Sequence, residues 1–490
     1  MSGLDPTSDD GFYHLAGVDV ADVHCQGTAC FVARHLAPER WERALEGPRV
    51  HCLGRCYRAP ARGSDEERPH VEVASREAVV LERVVGGGAR SLGAYTAATG
   101  LAGLRAALSG GPDRVLEELE ASGLRGRGGA AFPTGRKWRA VRAHHRRLAR
   151  ASVVVCNADE GDPGAYVDRV LLEDDPFAVL EGMAIAAHTV GAARGIVYVR
   201  REYPAAAAAV RGAVAEASAA GVLGTRSEVT GDGFRVDVVD GAGSYVCGEE
   251  TALLNAIEGR RPEVRVRPPF PAERGLWGAP TLVNNVETLA AVPWIVRNGG
   301  AAHAALGRGA SRGTKVVSLN SLFRRPGLYE VELGIPVREI VEDLGGGLRR
   351  GRLHGVLIGG PLAGILPPHL LDTPFTVEDL RAVGADVGHG GIVTFDELTS
   401  VAELLRHVFR FGAFESCGKC TPCRVGSPRV ERLAGHLVAG AVLDDDEART
   451  WRQTVDALGS ASLCGHGTGL AAFARSVAAH YPEELGPCFT

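Results

Sequence analysis

Lysine is nearly missing from this chain. Of 54 basic side chains among 490 residues only Lys137, Lys315 and Lys419 are lysines, and the net charge is −5. Without a basic excess the sequence offers no nucleic-acid surface. Aromatic residues make up only 6%. Long apolar runs are lacking too: the charge-free stretch 353–371 is broken by Gly359, Gly360, Pro361, Gly364, Pro367 and Pro368, and 179–199 contains Glu181, Gly191, Arg194 and Gly195. Neither suits a membrane helix, so no direct membrane insertion is expected. Residues 1–12 have no basic n-region and no apolar h-region, which predicts no signal peptide and a cytoplasmic protein. Tandem repeats and low-complexity linkers are also missing, and the length predicts about three domains with sizeable cores.

Cysteine, in contrast, is plentiful at 11 residues. In a reducing compartment, clustered thiols point to metal or redox chemistry before disulfides. Residues 1–90 hold two close pairs, Cys25-x4-Cys30 and Cys52-x3-Cys56, with short strands expected at 19–24 and 49–53 and a helix at 37–45. The charged segment 62–69 and Gly86-Gly87-Gly88 put a boundary near 90. Beyond it, a charged helix at 113–122 begins after Pro112 and runs into the glycine-rich stretch 123–135. Strands at 152–156, 195–199 and 234–239 then alternate with helices at 177–190 and 205–220. That alternation predicts a parallel sheet with helices on its faces and ligands at the strands' carboxyl ends. From 314, short strands at 315–320, 328–331 and 355–358 around a helix at 336–344 predict a small α+β domain. From 398, apolar residues at helical spacing (Val401, Leu404, Leu405, Val408, Phe409, then Leu433, Leu437 and Val442) predict a helical bundle.

The most specific local pattern is Cys417-x2-Cys420-x2-Cys423 with a distant Cys464. Four thiolates suit a cubane iron–sulfur cluster or structural zinc, and three clustered ligands plus one distant favour the cluster. No Cys-Pro run follows, unlike an ordinary bacterial ferredoxin. The quartet Cys25, Cys30, Cys52 and Cys56 suits a [2Fe–2S] cluster, zinc, or thiols with no ligand. The glycine-rich run ending in Lys137 can bring backbone N–H groups to a phosphate, although it is not the Rossmann fingerprint and precedes the first strand. Two loops at strand ends, Asn157–Gly164 and Gly241–Thr251, combine amide, acidic and tyrosine side chains; each reads either as a nucleotide-binding loop or as a turn before an acidic helix start.

Six segments occur together and in order: GRGGAAFPTGRKW (126–138), CNADEGDPGAYVDR (156–169), GAGSYVCGEETAL (241–253), RVRPPFPA (265–272), APTLVNNVETLA (279–290) and ESCGKCTPCR with SLCG (415–424, 462–465). Over residues 95–480 the chain resembles the flavin subunit of respiratory complex I and the diaphorase subunits of NAD-reducing hydrogenases and NAD-linked molybdenum formate dehydrogenases. Its first 90 residues resemble, in shortened form, the thioredoxin-like [2Fe–2S] subunit of the same systems. The resemblance implies an α/β fold in four parts: a thioredoxin-like domain (1–90), a parallel-sheet FMN/NAD domain (91–312), a ubiquitin-like β-grasp domain (313–396) and a helical bundle holding a [4Fe–4S] cluster (397–490).

It also implies roles for individual residues. Gly126, Arg127, Gly128 and Lys137 would cradle the FMN phosphate and nearby atoms, while Asn157, Asp159, Asp162, Tyr245, Gly248, Glu249, Asn284 and Asn285 would line the rest of the flavin. Phe132, Phe270 and Arg267 would contact NAD, the two rings stacking on adenine. Glu250 would meet the adenine ribose and disfavour NADP by its charge. Cys417, Cys420, Cys423 and Cys464 would bind [4Fe–4S], and Cys25, Cys30, Cys52 and Cys56 the second cluster. Cys156 and Cys247 read as packing residues inside flavin motifs, and Cys488 as a tail thiol. The chain departs from the family pattern at Ala131 (usually Gly), Ala140 (often aromatic), Asp162 (Glu in many respiratory members) and in a shorter gap between Cys30 and Cys52.

The implied activity is NADH dehydrogenation, with hydride passing between NAD(H) and FMN and single electrons between FMN and [4Fe–4S]. Partners would be iron–sulfur subunits and a molybdenum or hydrogenase catalytic subunit. A stand-alone NADH:acceptor reductase is the alternative, and a zinc-stabilised nucleotide-binding scaffold without redox activity the remote one.

Overall fold

The computed structural model of the chain describes residues 13–224 and 233–486; Cys488 lies outside them. At its centre four parallel strands, Ser152–Ala158, Ala192–Val199, Arg235–Asp240 and Thr281–Asn285, lie in the spatial order third, second, first, fourth. Alternate residues of the first strand enter different cores. Val154 and Cys156 join the large core, while Val153 and Val155 pack with Ile196, Leu253, Leu254 and Leu276 on the opposite face. Burial on both faces is why the strand reads as a continuous β-branched run. Helix Pro176–Val190 is buried along almost its whole length between the sheet and helices Ala102–Ala121 and Val286–Asn298. The helix expected at 113–122 is the second half of Ala102–Ala121, which kinks at Gly111 (φ 77°) just before Pro112.

The second sheet is mixed and six-stranded, in the order His70–Val73, Gly327–Glu332, Thr314–Leu319, Gly391–Asp396, Leu353–Ile358, Ile365–Leu366. Of the expected 336–344 helix, residues 337–344 are helical, with Glu339–Leu344 wound as a π-helix. One strand comes from the N-terminal segment: His70–Val73 runs parallel to Gly327–Glu332. The strands expected at 19–24 and 49–53 are not formed, and among the described residues the first 90 build no sheet of their own, which corrects the thioredoxin-like expectation. The physical reason lies in the backbone pairing. Gln26 N–H bonds Val50 O, Cys25 N–H bonds Ala61 O and Gly63 N–H bonds Val23 O, so the chain turns every few residues around the four cysteines instead of extending a ladder.

Helices Val401–Phe414, Thr421–Val438, Asp445–Ala461 and Gly465–His480 each pack on the next, and the last returns to the first. The expected bundle is formed, although Val442 lies exposed in a loop after the second helix. No helix among the described residues is long and apolar enough to cross a membrane.

Candidate functional site

Strand order reverses at Ser152–Ala158: the second and third strands lie to one side of it and Thr281–Asn285 to the other. The crevice beyond the carboxyl ends at such a reversal is where open parallel sheets take ligands. There Asn157 stands in register with Asn285. A cavity of about 1490 Å³ opens at this point, and fifteen of the sixteen residues expected to bind FMN or NAD line it. They are Gly126, Gly128, Phe132, Lys137, Asn157, Asp159, Asp162, Tyr245, Gly248, Glu249, Glu250, Arg267, Phe270, Asn284 and Asn285. The exception is Arg127. Its guanidinium turns away from the cavity and bonds the Arg312 carbonyl at 2.9 Å, while its N–H bonds Thr288 Oγ1 at 2.8 Å. Its side chain braces the loop from behind, outside the cavity lining.

The glycine-rich loop is closed by Gly126 N–H to Phe132 O and Thr134 N–H to Leu124 O, both 2.9 Å. Gly126, Gly128 and Gly129 bring bare backbone to the cavity wall. A Cβ at Gly128 would come within 3.0 Å of Asn285 Cβ. Ala131 sits at φ 51°, a left-handed conformation that costs an L-residue about 1 kcal/mol. Lys137 Nζ lies 3.1 Å from Glu250 and donates to Val283 O at 3.1 Å. Glu250 also faces Arg267 at 3.4 Å, so its charge is matched by two cations. Glu249 caps helix Glu250–Ile257, accepting from Thr251 and Ala252 N–H. Asn157 donates to Gly248 O at 2.8 Å, and Tyr245 OH to Asp162 at 2.6 Å. Burial pushes the Asp159 carboxyl well above the usual carboxylate range. Phe132 and Phe270, 48% and 55% exposed, offer ring surface at the cavity, the placement expected of stacking side chains rather than core residues.

Cys464 shares the same wall. It precedes helix Gly465–His480, Cys420 precedes helix Thr421–Val438, and Cys423 lies in the latter's first turn. Two helix N-termini thus favour negative charge on these sulfurs. Burial, with the neighbouring thiols adding to it, raises Cys423 to about 11 and Cys464 to about 12. Four neighbouring thiolates therefore need a cationic group among them.

The N-terminal quartet is free and fully buried. Cys52 and Cys56 sulfurs are 3.7 Å apart, and the N–H groups of Gly27, Gly54 and Ala61 point at Cys25, Cys52 and Cys30 at 3.3–3.4 Å. Backbone donors to sulfur are what a buried anionic cluster requires. The quartet presses on the Asp162–Ala165 turn, with Cys52 Sγ 4.0 Å from Ala165 O. Between the two cysteine sets lies Glu415, which accepts from Tyr245 N–H at 3.0 Å and meets His14 and His51 at 3.4 and 3.3 Å. Burial opposes its charge, but the two histidines hold its carboxyl well below the usual range.

Residues 314–396 also contribute to the cavity, through Gly359, Leu362, Gly388 and His389. Sequence reasoning missed these because residues 313–396 were expected to form a separate β-grasp domain.

The chain's residues 119–294 match the Nuo51 FMN-binding domain, and residues 403–487 the NADH-ubiquinone oxidoreductase-F iron-sulfur binding region. The F 2 subunit of the NADH-quinone oxidoreductase of Rhizobium meliloti is 39% identical over 411 residues, covering 84% of this chain and 97% of the relative. The HndC subunit of the NADP-reducing hydrogenase of Solidesulfovibrio fructosivorans is 39% identical over 406 residues, covering 81% and 82%. A crystal structure of NAD+-reducing [NiFe]-hydrogenase in the H2-reduced state overlays with a TM-score of 0.78 at 28% identity, covering 98% of this chain and 86% of that one. The chain belongs to the NuoF family of NADH-quinone oxidoreductase subunits, with an FMN-binding domain followed by an iron–sulfur binding region.

Proposed function

We propose that the chain is the NADH-facing subunit of a cytoplasmic, multi-subunit NAD-linked formate dehydrogenase, hydrogenase or complex I. The observation that carries its NADH–FMN–[4Fe–4S] activity is the single cavity whose wall holds both the nucleotide-type residues and Cys464. The hydrogenase-type assignment draws support from the 98% overlay, which takes in the N-terminal segment as well. We assign residues 91–312 to FMN and NAD, 313–396 to a β-grasp unit extended by His70–Val73, and 397–490 to the [4Fe–4S] bundle.

FMN, when bound, exchanges a hydride with nicotinamide and single electrons with an iron–sulfur cluster. The chain's part is positioning, and no side-chain nucleophile is needed. Gly126, Gly128 and Lys137 hold the phosphate end, and Asn157, Asp162 and Tyr245 fix the far wall. Phe132 and Phe270 would clamp the adenine, Arg267 would contact the NAD, and Glu250 would meet the adenine ribose. Since Arg267 faces Glu250 at 3.4 Å, removal of the carboxylate would leave a cation to welcome a 2′-phosphate. Glu250→Gln is expected to shift the NADPH/NADH preference toward NADPH by roughly tenfold; an unchanged ratio in steady-state kinetics removes Glu250 from this role.

Anaerobic purification tests the whole reading. The protein should be yellow-brown, release FMN, bleach with NADH, and carry about 4 iron atoms, or about 6 if the N-terminal quartet holds a [2Fe–2S] cluster. Cys52→Ser should then cost about two irons and spare the cubane. A colourless protein with stoichiometric zinc overturns the assignment. Assay of the intact complex with hydrogen, formate and quinone identifies the terminal couple.

A further inference from the structure

The loop before strand Gly391–Asp396 carries His389 into the cavity wall, outside every motif that pointed to the family. Its Nε2 lies 3.1 Å from Asp168 Oδ2 and 3.7 Å from Glu160 Oε1, and its Nδ1 lies 3.9 Å from Asp162 Oδ2. Both ring nitrogens therefore face carboxylates; Asn285 Nδ2 also lies 3.4 Å from Nε2, but its closer bond, at 2.6 Å, is to the same Asp168 oxygen. A neutral imidazole would turn one lone pair toward a carboxylate oxygen, whereas the doubly protonated ring suits both sides.

The surrounding charges leave the same gap. Glu160 is fully buried and accepts the N–H groups of Asp168 and Arg169 at 3.0 and 3.1 Å and Tyr203 OH at 3.2 Å. Asp168, 1% exposed, accepts from Asn285 Nδ2 at 2.6 Å, and its second oxygen has no hydrogen-bond partner. The nearby cations are committed elsewhere. Lys315 pairs with Glu287, Arg169 with Glu173, and Arg200 with Glu202. Burial and then Asp168 push the Glu160 carboxyl up to about 7, and without a charge on His389 the buried Asp168 carboxylate would have no cation of its own among the described residues. Burial alone would lower the imidazole pKa, but Asp168 and Glu160 raise it to about 9.

We propose that His389 is a fixed imidazolium in the wall of the flavin cavity. It is a positioning residue for Asp162 and Asn285, and it supplies the positive charge that offsets negative charge gained by the group bound there, raising that group's reduction potential. The proposal rests on FMN occupying the cavity.

Nitrogen-15 NMR of the flavin-free chain, with the ring assigned by its loss in His389→Gln, reads the charge directly. A doubly protonated His389 at pH 8 is expected; a neutral ring at pH 7 overturns the proposal. In the FMN-loaded protein, spectroelectrochemical titration should give a lower flavin midpoint for His389→Gln, a midpoint near the parent's for His389→Lys, and about tenfold weaker FMN binding for His389→Gln. A His389→Gln midpoint equal to the parent's overturns it, as does a stoichiometric divalent metal lost on His389→Gln, since Glu160, Asp168 and His389 lie close enough to share one ion. Should His389→Gln not fold, a His389→Lys midpoint well above the parent's, which would mean that the parent ring carries no charge, overturns it as well. A parent protein that binds no FMN removes the flavin reading, while the NMR arm still decides the ring's charge.

Discussion

A Cys464→Ser chain is expected to purify with its flavin, bleach with NADH, and lack the EPR signal of the reduced cubane altogether. The sulfur stands at the N-terminus of the 16-residue helix Gly465–His480, opposite the loop and helix start that carry Cys417, Cys420 and Cys423. Serine preserves the helix start but replaces a thiolate with a hydroxyl that remains protonated at neutral pH, and one lost ligand in four leaves an iron corner open. The flavin side of the wall depends on other elements: the glycine-rich loop, the ends of strands Ser152–Ala158 and Thr281–Asn285, and the Tyr245 loop. Flavin reduction and cluster reduction should therefore separate cleanly. Onward transfer to one-electron acceptors that draw on the cluster should fall by orders of magnitude, with NADH-dependent bleaching close to the parent's. A cubane signal that persists refutes the ligand assignment.

That separation reflects which parts of the molecule were legible in the sequence. The parallel sheet was, because strands buried on both faces must be nearly all apolar: Ser152–Ala158 keeps Val153 through Cys156 in core on alternate faces. The cavity residues were legible through the six ordered segments that resemble a known family; the loop chemistry at the strand ends alone left a plain turn before an acidic helix start open. Arg127 was not, since a motif specifies where a backbone goes and leaves the side chain free to turn toward Arg312. The first 90 residues misled for a related reason. Alternation around Val20 and Val23 reflects packing of a tightly turned loop about buried thiols, with a 3-10 turn at Val20–Asp22 where a strand was expected. His70–Val73 escaped notice because it is an edge strand among charged residues whose partner lies more than 250 positions further along. His389 escaped because one histidine in a glycine-rich loop gives no periodic signal. Only the fold shows that Glu160 and Asp168 meet it.

Lys315, one of the three lysines, acquires its reason in the structure, and its replacement carries the largest expected loss of stability. It is completely buried and paired with Glu287, also buried, while Glu287 accepts the Val316 N–H at 2.9 Å and the lysine donates to Val316 O at 3.0 Å. The pair ties the start of helix Val286–Asn298, which follows Asn284 and Asn285, to strand Thr314–Leu319 of the second sheet. It also abuts the His389 loop: a Cβ on Gly390 would lie 2.9 Å from Lys315 Nζ. Lys315→Met leaves Glu287 charged and uncompensated in the core, which costs about 3–5 kcal/mol, or a fall in melting temperature on the order of 10 °C. The net worth of the intact pair is smaller, since both charges had to leave water. Lys315→Met combined with Glu287→Gln removes the stranded charge and keeps an acceptor for Val316, so the double variant should recover most of the loss. Differential scanning calorimetry of the three proteins decides this. A double variant no more stable than Lys315→Met would show that shape, and not the stranded charge, sets the cost.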